Sequence, residues 1–268
     1  MKFAEATTNG GISILSAFID GLGGAFSIDL PLTATVYAGT RRREDRLMEA
    51  IRSEFGIKDQ LTYKVKSSIP AGYGLKSSSA LVLALAKASL LYKSVDIEDA
   101  DLLVRLANIS KAVGLSATGA LDDLCQALYG GYCITDNKRM KIIKRGKLPE
   151  LAVLVCARGE TRPSRSINIR GNYFKVARSA ENLAQRGFIF QAAVLNGFIY
   201  GTIFGIDLET VRKIEENGAN YASQSGKGPA VFGLFTDPSD AKRAKMDIGF
   251  GIVTKINNHG IRYRIYDS

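Results

Sequence analysis

"SSIPAGYGLKSSSALVLALAKASLL", residues 67–91, sets a glycine-punctuated turn directly against an alanine-rich apolar run. The turn Pro70-Ala71-Gly72-Tyr73-Gly74 leads through Leu75 and Lys76 into three consecutive serines, Ser77, Ser78 and Ser79, and then Ala80. Glycines let the backbone adopt positive φ and approach a ligand closely. A helix that starts just after them offers unpaired N–H groups and about half a positive charge from its dipole. The spacing therefore predicts a helix from about Ser78 to Tyr92 whose start can hold an anion, phosphate above all. Serine hydroxyls there can reach phosphate oxygens or a magnesium ion, and Lys76 adds a mobile positive charge. The same residues also fit a plain glycine turn with a serine helix cap. No GK[ST] stands at Walker spacing, so a P-loop is excluded.

The chain around this stretch has 268 residues, 46% hydrophobic and 23% charged, which suits one large domain or two modest ones. Lys87 breaks the apolar run, so that run cannot supply the roughly 20 residues of a membrane span. The start, "MKFAEATTNGG", lacks the apolar centre of a signal peptide, and the expectation is a cytoplasmic protein without a membrane partner. Cys125, Cys133 and Cys156 are odd in number and form no CxxC, which argues against a disulfide framework and a zinc site. The single histidine, His259, stands in the polar turn "INNHGIRY", a poor basis for a catalytic triad. The net charge of +10 raises nucleic acid as a partner, but the basic clusters at 41–43 and 137–147 have no interleaved aromatic residues. Positive charge serves an enzyme of anionic ligands equally well.

Residues 23–39 alternate as a strand, 44–56 space Leu47, Ala50, Ile51 and Phe55 as a helix, and 61–69 alternate again. A helix is expected in 97–114, with Glu98, Asp99 and Asp101 at its start, then a short helix, a Gly130-Gly131 turn and a strand in 119–137. Beyond Pro149 the pattern restarts: a buried strand in 150–159, helical periodicity over 180–205, a helix in 207–220, a strand in 230–237, a helix in 238–250 and closing strands. Strands and helices mix without a strict βαβ repeat, which predicts an α+β fold of two lobes, 1–147 and 148–268.

Two more clusters carry chemistry. In "ATGALDDLCQALYGG", Asp122 and Asp123 follow a glycine turn and start a helix, which suits them structurally. A carboxylate near a phosphate can also take the proton of an attacking hydroxyl, with one acid facing substrate while its neighbour pairs elsewhere. In "YASQSGKGPAVFGLF", Ser225-Gly226-Lys227-Gly228-Pro229 is a tight turn before a strand, either a connector or a second backbone cradle for phosphates.

The order Pro-x3-Gly-Leu-x-Ser-Ser-x-Ala, Gly-x-x-Asp-Asp with Gly-Gly after it, and Ser-Gly-x-Gly-Pro resembles the GHMP kinase superfamily across essentially the whole chain. Within it, "GLGGAFSIDL", "GLKSSSA" and "TGALDDLCQALYGGYCITDN" are most similar to the archaeal shikimate kinase family. The resemblance implies a ribosomal-protein-like N-terminal lobe and a ferredoxin-like C-terminal lobe. It implies ATP and Mg2+ as cofactors and phosphorylation of shikimate to shikimate 3-phosphate, a step toward chorismate and the aromatic amino acids. Homoserine, mevalonate and pantoate are the alternative acceptors, and a nucleic-acid-binding protein is the alternative from another class.

Carried over by motif, the nucleotide residues are Pro70, Gly72, Gly74, Leu75, Lys76, Ser77, Ser78, Ser79, Ala80, Ser225, Gly226 and Gly228, with Ser78 as the metal contact. The position relative to the Gly-Gly implies Asp123 as base, with Asp122 as support or second choice. "TTNGGISILSAFIDGLGGAFSIDLPLTATV" resembles the family's substrate-side motif and makes Gly23, Gly24 and Asp29 candidates for the acceptor hydroxyls. The shikimate carboxylate calls for a bidentate arginine, from Arg158, Arg162, Arg165 or Arg170. The chain departs from the family in three places. Lys76 stands where a loop glycine is common, the first motif lacks a lysine, and no glutamate shortly precedes Asp123.

Overall fold

A long antiparallel hairpin organises the first half of the chain in the computed structural model, which describes residues 2–39, 45–159 and 173–267. Strands β1 (Phe3–Leu15) and β2 (Leu22–Ala38) pair from Phe3 opposite Tyr37 to Leu15 opposite Gly24. The alternation in 23–39 predicted β2. Strand β1 is absent from the sequence reading because its small polar tract, Thr7 to Gly11, has no alternating pattern; it is buried on both faces where helices cover it. Pro31 has no N–H to donate and lies opposite Asn9, beside the register shift between Asn9 and Gly11.

Strand β2 is long enough to serve two further partners. Its first part pairs with β4 (Tyr132–Asp136) and its last part with β3 (Leu61–Ser67); β5 (Lys141–Gly146) extends the sheet beyond β4. On the other edge, β10 (Arg262–Tyr266) pairs with β1. The C-terminal strand, assigned by sequence to the second lobe at 148–268, thus completes the first sheet and covers an edge of β1 that would otherwise stand unpaired.

Helices α1 (Arg46–Glu54), α2 (Ser77–Tyr92), α3 (Asp99–Ala112) and α4 (Leu121–Tyr129) accompany this sheet. Helix α2 is buried on most of its circumference, which is why its sequence shows no polar face. Ala80, Ala84 and Ala88 are small enough to let it approach the hairpin, and Thr8 Oγ1 donates to the Ala80 carbonyl at 3.0 Å.

The second sheet runs β7 (Tyr221–Gln224), β8 (Val231–Phe235), β6 (Ala152–Cys156), β9 (Ile252–Lys255), all antiparallel. Helices α5 (Tyr173–Gln185), α6 (Ile189–Phe204), α7 (Leu208–Glu216) and α8 (Pro238–Ile248) belong to it. The helical tract expected over 180–205 is two helices, divided at Gly187 with φ +93°. The lobes meet through shared core. Phe26 of β2 sits edge-on to Phe190 of α6 at 5.9 Å and to Phe232 of β8 at 6.3 Å.

One expectation is corrected outright. Cys125 of α4 and Cys133 of β4 are joined as a disulfide, because the Gly130-Gly131 turn folds the strand back on the helix. An odd cysteine count excludes only a complete pairing. Cys156 stays free and buried, and burial pushes its thiol up to about 12, so it is no nucleophile. His259 is exposed in its turn, as its sequence suggested.

Candidate functional site

Two helices begin at one cleft, and both begin in the same unusual way. The residue before α2, Lys76, and the residue before α4, Ala120, are left-handed, with φ 68° and 50°. That conformation costs a non-glycine residue about 1 kcal/mol or more. Neither position supplies a side-chain cap, so the expected serine cap of α2 is not formed and its first-turn amides stay available. Ser77, Ser78 and Ser79 border the cleft from α2, and Asp122 and Asp123 border it from α4.

Three successive carbonyls before α2 are tied back into the protein. Tyr73 O accepts from Ala230 N, Gly74 O from Ser225 Oγ at 2.9 Å, and Leu75 O from Gly11 N. Carbonyl oxygens would repel phosphate, and these three are occupied elsewhere. Gly74 is required at its place: φ is +83°, and a Cβ would lie 2.8 Å from the Ser225 carbonyl.

The two acids have different surroundings. Asp123 Oδ1 is 3.0 Å from Lys76 Nζ, and the same ammonium donates to Ser13 Oγ at 2.7 Å. Among the described residues no hydrogen bond of ordinary geometry reaches that buried carboxylate oxygen. Asp122 Oδ1 accepts from Asn137 Nδ2 at 2.9 Å, and Asn137 Oδ1 accepts from Thr135 Oγ1 at 2.6 Å. Gly23 leaves room for this carboxyl group, since a Cβ there would come within 2.6 Å of it. Burial, then the charge of Asp123, push Asp122 well above the usual carboxylate range, with Lys76 and the Asn137 bond acting the other way. Both neighbours border the cleft, and Asp122 is the one that pairs with Asn137.

Gly72, Gly74, Lys76, the three serines, both aspartates and Ser225 are therefore brought together from the predicted set. Pro70, Leu75, Ala80, Gly226 and Gly228 do not line this surface. Leu75 and Ala80 belong to the core. Gly226 packs on Ser13 Oγ, and Gly228 precedes the cis bond to Pro229. Gly24 packs against Ile14 and serves the hairpin.

Two substrate candidates stand apart from this cleft lining. Asp29 is exposed on β2, six residues and hence roughly 20 Å along an extended strand from Gly23. Arg158 stacks its guanidinium over the Phe250 ring at 5.4 Å and does not border the cleft. Arg162, Arg165 and Arg170 lie outside the described residues.

Ser13 near the end of β1, Ser16 and Phe18 in the turn that follows it, and Ser116 and Thr118 before α4 also border the cleft, and sequence reasoning missed them; Lys227, read there only as part of its turn, borders it too. Ser16 is held from α6: its N–H donates to Asn196 Oδ1 at 3.0 Å and its carbonyl accepts from Tyr200 Oη at 3.1 Å. The signal was present in "SAFID" and in the hydroxyls of "LSATG". Near this segment Glu181 is hydrogen-bonded to Asp20, and burial first, then that partner, push Glu181 up to about 7.

Hydroxyl and carboxylate oxygens are the donors a hard divalent cation prefers. Among the described residues no three His, Cys, Asp or Glu side chains gather into a metal cage. No helix among the described residues is long and apolar enough to cross a membrane.

Comparison with known proteins agrees with this geometry. The model of the GHMP kinases N terminal domain matches residues 44–131, and that of the GHMP kinases C terminal domain matches residues 200–248. A protein named shikimate kinase from Thermoplasma acidophilum is 58% identical over 268 residues, covering 100% of both chains. One of the same name from Thermococcus kodakarensis is 31% identical, covering 94% of this chain and 99% of its own. Among solved structures, a homoserine kinase from Cytophaga hutchinsonii superposes with a TM-score of 0.73 at 18% identity, covering 98% of this chain and 97% of that one. The Methanococcus jannaschii mevalonate kinase gives 0.73 at 14% identity, covering 98% of each. At such identities the structural likeness concerns the α+β two-lobed fold alone.

Proposed function

The chain belongs to the GHMP kinases, and from that premise we propose that it transfers the γ-phosphoryl group of ATP to a hydroxyl of shikimate. The acceptor comes from the relatives' name, at 58% identity over the full chain. The observation that carries the chemistry is the meeting of an uncapped helix start, rich in hydroxyls, with two adjacent, mostly shielded carboxylates in one cleft.

The first-turn amides of α2 and the hydroxyls of Ser77, Ser78 and Ser79 receive the polyphosphate, and Ser225 holds the loop from behind through Gly74. Asp123 takes the proton of the attacking hydroxyl, its carboxylate kept in place beside the Lys76 ammonium. Positioning and charge stabilisation do most of the work in phosphoryl transfer. Ser78 is the proposed protein ligand of Mg2+, which supplies positive charge to the phosphates. An arginine of the 162–170 stretch is proposed for the shikimate carboxylate, and a cytoplasmic location belongs to the same reading.

An ADP-release assay over shikimate, homoserine, mevalonate and pantoate tests the acceptor. ADP release with shikimate is the expected result, and release with homoserine but none with shikimate overturns it.

A further inference from the structure

The adjacent acids of α4 are bound by different partners. Thr135 Oγ1 donates to Asn137 Oδ1 at 2.6 Å. The Asn137 amide nitrogen donates to Asp122 Oδ1 at 2.9 Å. Thr135 is fully buried, Asn137 is 3% exposed and Asp122 5%, so the chain of bonds is enclosed. Asp123 is the acid with a cation: the Lys76 ammonium lies against it, and Ser13 Oγ aims that ammonium.

We propose that Asp122 serves the acceptor as a neutral hydrogen-bond donor, positioned by Asn137 and Thr135, while Asp123 keeps the negative charge of the pair. Two carboxylates side by side in a buried cleft do not both ionise readily, and the cation decides which one does. Asp122 then has Oδ1 as acceptor for Asn137 and a protonated Oδ2 for a hydroxyl of the polyol acceptor. Burial and the charge of Asp123 push Asp122 upward in agreement with this division. Gly23 belongs to the same device, since any side chain there would occupy the space of the Asp122 carboxyl group. The inference rests on the kinase reading above, and it names the group that binds the acceptor beside the group that activates it.

Three variants test it. Asp122→Asn is isosteric with the neutral acid, can accept from Asn137 through its oxygen and still presents N–H to the cleft. It is expected to lower kcat/KM for shikimate by only about 3- to 10-fold, as an amide replaces a stronger donor. Asp122→Ala removes the donor and orphans the Asn137 amide, and KM for shikimate rises about 30-fold or more while the affinity for a non-hydrolysable ATP analogue, measured by calorimetry, is retained. Asp123→Asn loses turnover by about 100-fold or more. If Asp122→Asn is as inactive as Asp123→Asn, Asp122 needs its charge and the inference is overturned.

A readout independent of the acceptor is the infrared carbonyl stretch of a protonated carboxyl group in the full-length protein at neutral pH. The wild type minus Asp122→Asn difference shows this band. A wild type that releases no ADP with shikimate tells against the proposed acceptor, whereas a missing infrared band tells against the role of Asp122.

Discussion

The Lys76 ammonium lies 3.0 Å from Asp123 Oδ1, joining the start of one cleft helix to the first turn of the other. Both side chains are mostly shielded, 12% and 15% exposed, so solvent screens this pair less than an ion pair at the surface. Lys76 also donates to Ser13 Oγ, and the Ser13 N–H donates to Ser225 Oγ at 3.2 Å. The glycine turn, the acid pair, the hairpin and the Ser225 turn are thereby linked in one polar network. Replacing Lys76 by Met is expected to lower kcat by roughly 10- to 100-fold, with Lys76→Arg recovering part of the loss. Steady-state kinetics with ATP varied at saturating shikimate decide the matter. A raised KM for ATP with unchanged kcat would assign Lys76 to the phosphates alone.

Asp123→Asn keeps the shape of the base and removes its capacity to take a proton. Turnover is expected to fall by about 10²- to 10⁴-fold, while the binding of a non-hydrolysable ATP analogue persists. Loss of nucleotide binding in parallel would mean that the carboxylate holds the phosphates or their metal.

Ser225 makes two bonds through one hydroxyl, donating to Gly74 O and accepting from Ser13 N. Ser225→Ala leaves a carbonyl and an amide unpaired behind the phosphate loop, at about 1 kcal/mol for each bond. The expected result is a KM for ATP raised about 5- to 30-fold, with the KM for shikimate little changed.

Gly23→Ala places a methyl group 2.6 Å from the Asp122 carboxyl group, closer than atoms of that size can approach. The carboxyl group must move and its bond to Asn137 must break or bend. Activity is expected to fall by about 10-fold or more, with a loss of stability of about 1–3 kcal/mol in denaturant titration. Unchanged kinetics would show that the position of Asp122 is immaterial.

Glu181 gives a stability prediction with a definite sign. Its folded-state value is raised from the usual 4.5 to about 7, so the native protein binds more protons than the unfolded chain between those values. Stability therefore falls as pH rises through that window. Glu181→Gln, which mimics the protonated acid toward Asp20, is expected to melt at a higher temperature than the wild type near pH 8. The two are expected to converge below about pH 4.5. A difference that grows in acid instead would reverse the assignment.

The residues themselves determined whatever depends on near neighbours. Glycine freedom and helix initiation act over a few residues, so "GYGLKSSSA" and "TGALDD" mark two helix starts, and α2, α3 and α4 follow close to their expected ranges. Only the tertiary structure decided which of these starts meet. The Lys76–Asp123 pair, the Asn137 amide beneath Asp122, the Cys125–Cys133 bond and the return of β10 to β1 join segments that periodicity treats as unrelated. The placement of Asp29 and Arg158 away from the cleft lining belongs to the same side of that divide, since a strand's reach and a ring's position depend on packing. Local preference acts through the bonds of adjacent residues, whereas a site is completed when burial brings distant side chains within hydrogen-bonding distance.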